Sequence, residues 1–244
     1  MSPIVLELID LSAGYADIPI VHDFSVRLQS GTITTLIGGN GAGKSTLLRA
    51  IYGTNRRFSG RIVFVGKAIE ELSPWERFRR GIGFVPQGRC NFAAMTVAEN
   101  LKMGCYTLAA ARHKEAIERV TTLFPILGTK RRVDAGNLSG GEQQVLEMAM
   151  VLLVEPSLLL LDEPSLGLSP KMQEDVFSTV QEVARTGVAV LVVEQNVRGA
   201  LLISDTALVM EQGRKFLEGP ASEVRTDPRI RQAYLGGNIQ QTVA

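Results

Sequence analysis

The chain has 244 residues, 45% hydrophobic and 21% charged, with a formal net charge of +1 and mean hydropathy of +0.12. That balance is ordinary for a globular protein and points away from a disordered chain or a nucleic-acid binder. Apolar runs such as "SLLLL" and "VAVLVV" fall far short of the about 18 to 20 residues a membrane span requires, and the acidic N-terminus "MSPIVLELIDLSAGY" lacks the basic start of a secretory signal, so a cytoplasmic protein is expected.

In chain order, "IVLELIDLSAGY", "IVHDFSVRLQSG" and "GRIVFVG" read as strands joined by turns rather than helices, which predicts an antiparallel β layer. "TITTLIGG" is a short apolar strand followed by the helical pattern "GKSTLLRAIYG". "SPWE", Ser73 to Glu76, is a capping box with Pro74 at the first helical position. From about Gly88 to Asn137 strand patterns cease, and a second box at Thr96 to Glu99 opens a helical stretch, so a helical insertion is expected over 88–138. Beyond it "SLLLLDEP" precedes "KMQEDVFSTVQEVART" and "VAVLVVEQ" precedes "NVRGALLISD", the alternation of βα units and a mainly parallel sheet. The expected fold is therefore α/β, one domain over 1–244 whose core combines 1–87 and 139–244. Cys90 and Cys105 lack metal-ligand spacing, and His22 and His113 lie far apart and near no carboxylate cluster.

"GGNGAGKS" fits G-x-x-x-x-G-K-[ST] between a strand and a helix, the context that motif demands. Gly38, Gly39, Asn40, Gly41, Ala42 and Gly43 would turn backbone N–H groups onto phosphate oxygens. Lys44 adds charge, Ser45 offers an oxygen to Mg²⁺, and Thr46 continues the helix. A nucleoside triphosphate site, for ATP or GTP, follows. Asp162 and Glu163 end a buried strand, at the edge where open α/β sheets bind ligands. Strand alternation would turn them to opposite sides; Asp162 resembles the Walker B aspartate that holds Mg²⁺, which would leave Glu163 facing the space of an attacking water. "LSGGEQQ" places a third capping box, Ser139 to Glu142, beside two glycines, a second anion site at a helix start.

Phosphate loop, "LSGGEQQ" and "LLLLDEP", in this order and spacing, resemble the ATP-binding-cassette (ABC) ATPases over nearly the whole chain. The resemblance implies a RecA-like P-loop NTPase core, ATP hydrolysis, and a dimer in which Ser139, Gly140, Gly141 and Glu142 of one subunit face the ATP held by the other. It also implies that Tyr15 stacks on adenine, that Gln87 contacts Mg²⁺ and the attacking water, and that Gln195 stands where a switch histidine is usual. A glutamine there can donate an amide N–H but cannot carry a proton near neutral pH. "VPQGRCNFAAMTVAENLKMG", "LFPIL", "LVVEQN" and "DPRIRQAYLGG" narrow the likeness to the LivF-type ATPase subunits of branched-chain amino-acid importers. Partners implied are two membrane permease subunits, a companion ABC ATPase in a heterodimer or homodimer, and an extracytoplasmic solute-binding protein, with no nucleic acid. The chain would then lie on the inner face of the cell membrane. Urea and short-amide importers share much of this layout, and a non-transport regulatory module is the other reading, motivated by Gln195. Ser169, Met150, Asn91 and Phe92 depart from the broad family: Ser169 at a dimer-contact position, Met150 where an arginine is common, and Asn91 and Phe92 next to the expected membrane-subunit contact. Glu194 and Asn196 read as a strand end and a helix N-cap.

Overall fold

Short apolar runs become strands and the capped segments become helices. The computed structural model describes residues 2–234, so the last three residues of the "DPRIRQAYLGG" ending lie outside the described residues. The chain opens with the hairpin β1 (Ile4–Tyr15) and β2 (Ile18–Gln29), then β3 (Ile33–Ile37) and helix α1 (Lys44–Tyr52). β4 (Arg56–Phe64), β5 (Lys67–Ala68), α2 (Pro74–Arg79) and β6 (Ile82–Val85) follow. Between 88 and 138 the described elements are helical: α3 (Val97–Gly104), α4 (His113–Leu123), α5 (Pro125–Thr129) and two short 3-10 turns. The chain then runs through α6 (Gly140–Leu152), β7 (Leu158–Asp162), α7 (Pro170–Arg185), β8 (Ala189–Val193), α8 (Val197–Ile203), β9 (Thr206–Glu211), β10 (Arg214–Pro220), α9 (Ala221–Val224) and α10 (Pro228–Tyr234).

The expected α/β architecture is present as two sheets. One is antiparallel, in the order β2-β1-β4-β5. The other, β10-β9-β3-β8-β7-β6, is parallel except for the β10 edge. Every residue of β3, β7 and β8 is buried, as central strands covered on both faces must be.

Period-two alternation sorts those strands between two cores. Leu158, Leu160, Leu191 and Val193 pack with α1 residues Leu47, Leu48 and Ile51 and with Leu6, Leu8, Phe24 and Ile62 of the antiparallel sheet. Leu159, Leu161, Val190 and Val192 face the opposite way, toward Leu146 and Met148 of α6 and Val176 and Val180 of α7. Burying each leucine stabilises the fold by roughly 1.5–3 kcal/mol, so slipping either strand by one residue would exchange the two faces at large cost. The parity also decides the site: Asp162 continues the face occupied by α1, and Glu194 the face occupied by α7.

All three capping boxes close reciprocally, at Ser73 and Glu76, Thr96 and Glu99, and Ser139 and Glu142. Each satisfies helix N–H groups that would otherwise lack partners.

Candidate active site

Four neighbouring parallel strands, β3, β8, β7 and β6, send their C-terminal ends to one edge of the sheet, and each delivers a candidate residue there. The Gly38–Gly43 loop leaves β3. Gly38 has no room for a side chain, because a Cβ would lie 2.3 Å from the Met210 carbonyl oxygen. Gly43 has φ +103°, a conformation that favours glycine, and serves as the N-cap of α1 without any side-chain cap. Lys44 is buried, and its Nζ donates to the Gly38 carbonyl at 2.8 Å and the Gly39 carbonyl at 3.1 Å, which folds the charge over the loop. Burial pushes the Lys44 ammonium down, against the attraction of Glu163 and Asp162.

Ser45 Oγ donates to Asp162 Oδ1 at 2.8 Å, joining the start of α1 to the end of β7. Asp162 is 2% exposed, and its Oδ2 is buried with no hydrogen-bond partner. Burial drives the Asp162 carboxyl up, opposed by the Ser45 hydroxyl and reinforced by neighbouring Glu163. A buried carboxylate oxygen without a donor beside a serine hydroxyl fits a hard cation, whose preferred ligands are oxygens. The residues present therefore suit Mg²⁺, with Ser45 and Asp162 nearest to hand.

Glu163 departs from the alternation expected of it. Its φ is +53°, so the strand ends at Asp162 and Glu163 occupies the left-handed region, which costs a residue other than glycine about 1 kcal/mol or more. The surroundings hold it there. Its N–H donates to the Val193 carbonyl at 2.9 Å. Gln195 Nε2 lies 2.9 Å from both Glu163 oxygens, and Gln87 Nε2 donates to Oε2 at 3.2 Å. The different bonding of the two acids thus comes from a backbone turn rather than from pleating: Asp162 meets Ser45, while Glu163 meets two amides.

Tyr15 ends β1 with 40% of its surface exposed, and its hydroxyl accepts from Arg49 Nη1 of α1 at 3.1 Å. Burial pushes the Tyr15 phenol up, but Thr46, Asn55 and Arg49 outweigh it and lower it. The signature residues are elsewhere. Ser139, Gly140, Gly141 and Glu142 begin α6, and among the described residues no side-chain hydrogen bond joins them to the phosphate loop. The Glu142 carboxylate accepts from Ser139 N–H and pairs with Lys130 Nζ at 2.6 Å. Ser169 is exposed at the N-cap position of α7, and Met150 packs against the core on the α6 side. Asn196 caps α8 as expected, its Oδ1 accepting from Gly199 N–H at 3.1 Å. Glu194, read from sequence as a plain strand end, is instead buried and hydrogen-bonded to two loops, with no local pattern to announce it.

A glycine loop on an uncapped helix, a carboxylate with a free buried oxygen and a second carboxylate held by amides thus lie together at one edge of the parallel sheet, where a nucleoside triphosphate would fit. Residues 21–166 match the ABC transporter family. The chain is 41% identical over 227 residues to the high-affinity branched-chain amino acid transport ATP-binding protein BraG of Pseudomonas aeruginosa, covering 93% of this chain and 97% of that one. It is 37% identical to the probable branched-chain amino acid transport ATP-binding protein LivF of Archaeoglobus fulgidus, covering 95% and 99% of the two chains. Identity is 32% to the lipopolysaccharide export system ATP-binding protein LptB of Acidithiobacillus ferridurans, covering 97% and 98%. Among solved structures, the ADP conformation of MJ1267, an ATP-binding cassette of an ABC transporter, superposes with a TM-score of 0.82 at 28% identity, covering 97% of this chain and all of that one. The chain belongs to the ABC transporter family, as the ATP-binding and ATP-hydrolysing subunit.

Proposed function

We propose that this ATPase subunit powers the import of branched-chain amino acids. Its likeness to the BraG and LivF proteins over nearly their full length supports the solute. The observation that carries the chemistry is the Glu163 carboxylate, held by the Gln195 and Gln87 amides where four strand ends meet. Glu163 is the general base or water-positioning group. Lys44 and the amides of Gly38, Gly39, Asn40, Gly41, Ala42 and Gly43 stabilise phosphoryl charge, with Thr46 beside them. Gln195 orients rather than carrying a proton, and Tyr15 stacks on adenine. Ser45, Gln87 and Asp162 hold Mg²⁺, and neutralisation of phosphate charge is what that ion supplies when bound.

In this reading residues 1–87 and 139–244 act as the core and 88–138 as a helical subdomain that passes motion to two permease subunits on the inner face of the membrane. Two ATPase subunits sandwich ATP, with Ser139, Gly140, Gly141 and Glu142 reaching the partner's nucleotide. The second ATPase is a companion chain or another copy, and a solute-binding protein delivers the amino acid from outside.

Glu163→Gln should bind ATP as the parent does and lose turnover by about 100-fold or more, measured by phosphate release; unchanged turnover sinks the assignment. Uptake of labelled leucine by proteoliposomes holding the subunits encoded beside this chain tests the solute. Uptake of urea or a short amide instead would reassign the solute and leave the ATPase intact, whereas an export system, the reading motivated by the LptB likeness, would give no uptake.

A further inference from the structure

Glu194 follows the last residue of β8 and is 1% exposed. A buried carboxylate is unfavourable unless donors surround it, and an apolar residue at this strand end would be the cheaper choice for stability alone. Its oxygens are instead fully engaged. Ser165 N–H donates to Oε1 at 2.9 Å and Ser165 Oγ to Oε2 at 2.8 Å. The backbone N–H groups of Gln195 and Asn196 donate to Oε2 at 3.2 and 3.4 Å. All four are neutral donors, and they come from two loops.

Those loops are the ones that carry the hydrolytic residues. Ser165 lies two residues beyond Glu163, and Gln195 is the residue whose amide meets both Glu163 oxygens. A second bridge runs behind: Asn196 Nδ2 donates to Gln173 Oε1 at 2.8 Å, and Gln173 Nε2 returns to the Ser165 carbonyl at 3.2 Å. The loop after β8 therefore cannot shift without dragging the loop after β7. Burial drives the Glu194 carboxyl up, while its hydrogen bonds to Ser165, Asn196 and Gln195 pull it back.

We propose that Glu194 is a positioning residue for ATP hydrolysis, clamping the Ser165 loop to the Gln195 backbone so that the Gln195 amide stays on the Glu163 carboxylate. The inference rests on the reading of Glu163 and Gln195 given above. Glu194 touches neither nucleotide nor water in this scheme and acts only through Gln195. Glutamine at this position has the shape of glutamate but sets an NH₂ group against at least one of the three backbone N–H donors, whichever way the amide turns.

The test is a double-mutant cycle on the full chain assembled with its partners, reading kcat and KM for ATP and, separately, ATP affinity. Glu194→Gln should lower kcat about tenfold with KM and Kd for ATP changed less than about threefold, and in a Gln195→Ala background it should add less than about twofold. Ser165→Ala, which removes one hydroxyl donor, should lower kcat about threefold in the parent and have no effect in the Gln195→Ala background. A merely structural role would give the same loss in both backgrounds. That result, or parent-like kcat in Glu194→Gln or Ser165→Ala, overturns the proposal. If Glu194→Gln does not fold, the Ser165→Ala pair decides alone. Parent-like turnover of Glu163→Gln overturns the reading of the site itself, a failure seen without touching Glu194.

Discussion

Two helix N-termini carry glycine-rich sequences, and they are built in opposite ways. α1 starts at Gly43 with no side-chain cap and no acidic residue in its first turn. α6 starts at Ser139 with a complete capping box, and Glu142 in its first turn is paired with Lys130. Both ends present N–H groups and the positive end of a helix dipole. At α6 the chain's own side chains already meet part of that demand. At α1 no side chain caps the helix end: the glycine loop and Lys44 surround it, and Ser45 is turned to Asp162, so the free N–H groups there suit an anion. On the proposed function, α1 would hold the phosphates of its own subunit's nucleotide, and α6, already self-satisfied, would meet those that another subunit brings.

The largest expected effect falls at the uncapped end. Lys44→Ala removes the one full positive charge folded over the loop and should weaken ATP binding on the order of 100-fold, measured by calorimetry on the single chain. A loss of only twofold would mean that the backbone amides alone hold the phosphates. At the capped end the same experiment should give a different kind of loss. Ser139→Ala deletes the cap of α6 and should cost about 1 kcal/mol of stability in denaturant unfolding, with ATP affinity of the single chain unchanged within about twofold. A large fall in single-chain affinity would show that both helix ends serve one nucleotide, and the distinction would collapse.

What could be read beforehand follows the same divide between local and distant causes. β3, α1 and the three capping boxes depend on residues within a few positions of one another, and the sequence patterns place them at the observed bounds. Asp162 was legible because it ends a buried run of four leucines, although a run buried on both faces carries no alternation and leaves its side to the packing. Glu163 was legible as a site residue but not in its geometry, since the left-handed turn is imposed by the Val193 carbonyl and the Gln195 amide from another strand. Glu194 gave no signal, because the Ser165 donors that make its burial tolerable lie 29 positions away. Arg77 was equally silent. It is 3% exposed and donates to the Ala50 and Ile51 carbonyls at the C-terminal end of α1, 27 and 26 positions away. The far end of the phosphate-loop helix is thus held by a cation chosen in a different segment.

The smallest effect sharpens the comparison most. Burial pushes the Glu142 carboxyl up, but the bonds from Lys130 and Ser139 outweigh it and leave it lowered. A lowered carboxylate adds stability that is fully present above its unfolded value near 4.5 and is lost as pH falls through the folded value. Glu142→Gln keeps an oxygen for Ser139 N–H but gives up the charge. The half-exposed Lys130 pair is screened by solvent, so the variant should lose only about 0.5 kcal/mol at pH 7. That deficit should shrink in unfolding curves taken below pH 4.5. Removing a negative charge from the helix end should also favour a second subunit's phosphates, so ATP-dependent dimerisation measured by sedimentation should tighten by about two- to fivefold. Weakened dimerisation would instead make the Glu142 charge part of the contact, and α6 would then work through a carboxylate where α1 works through its glycine loop and Lys44.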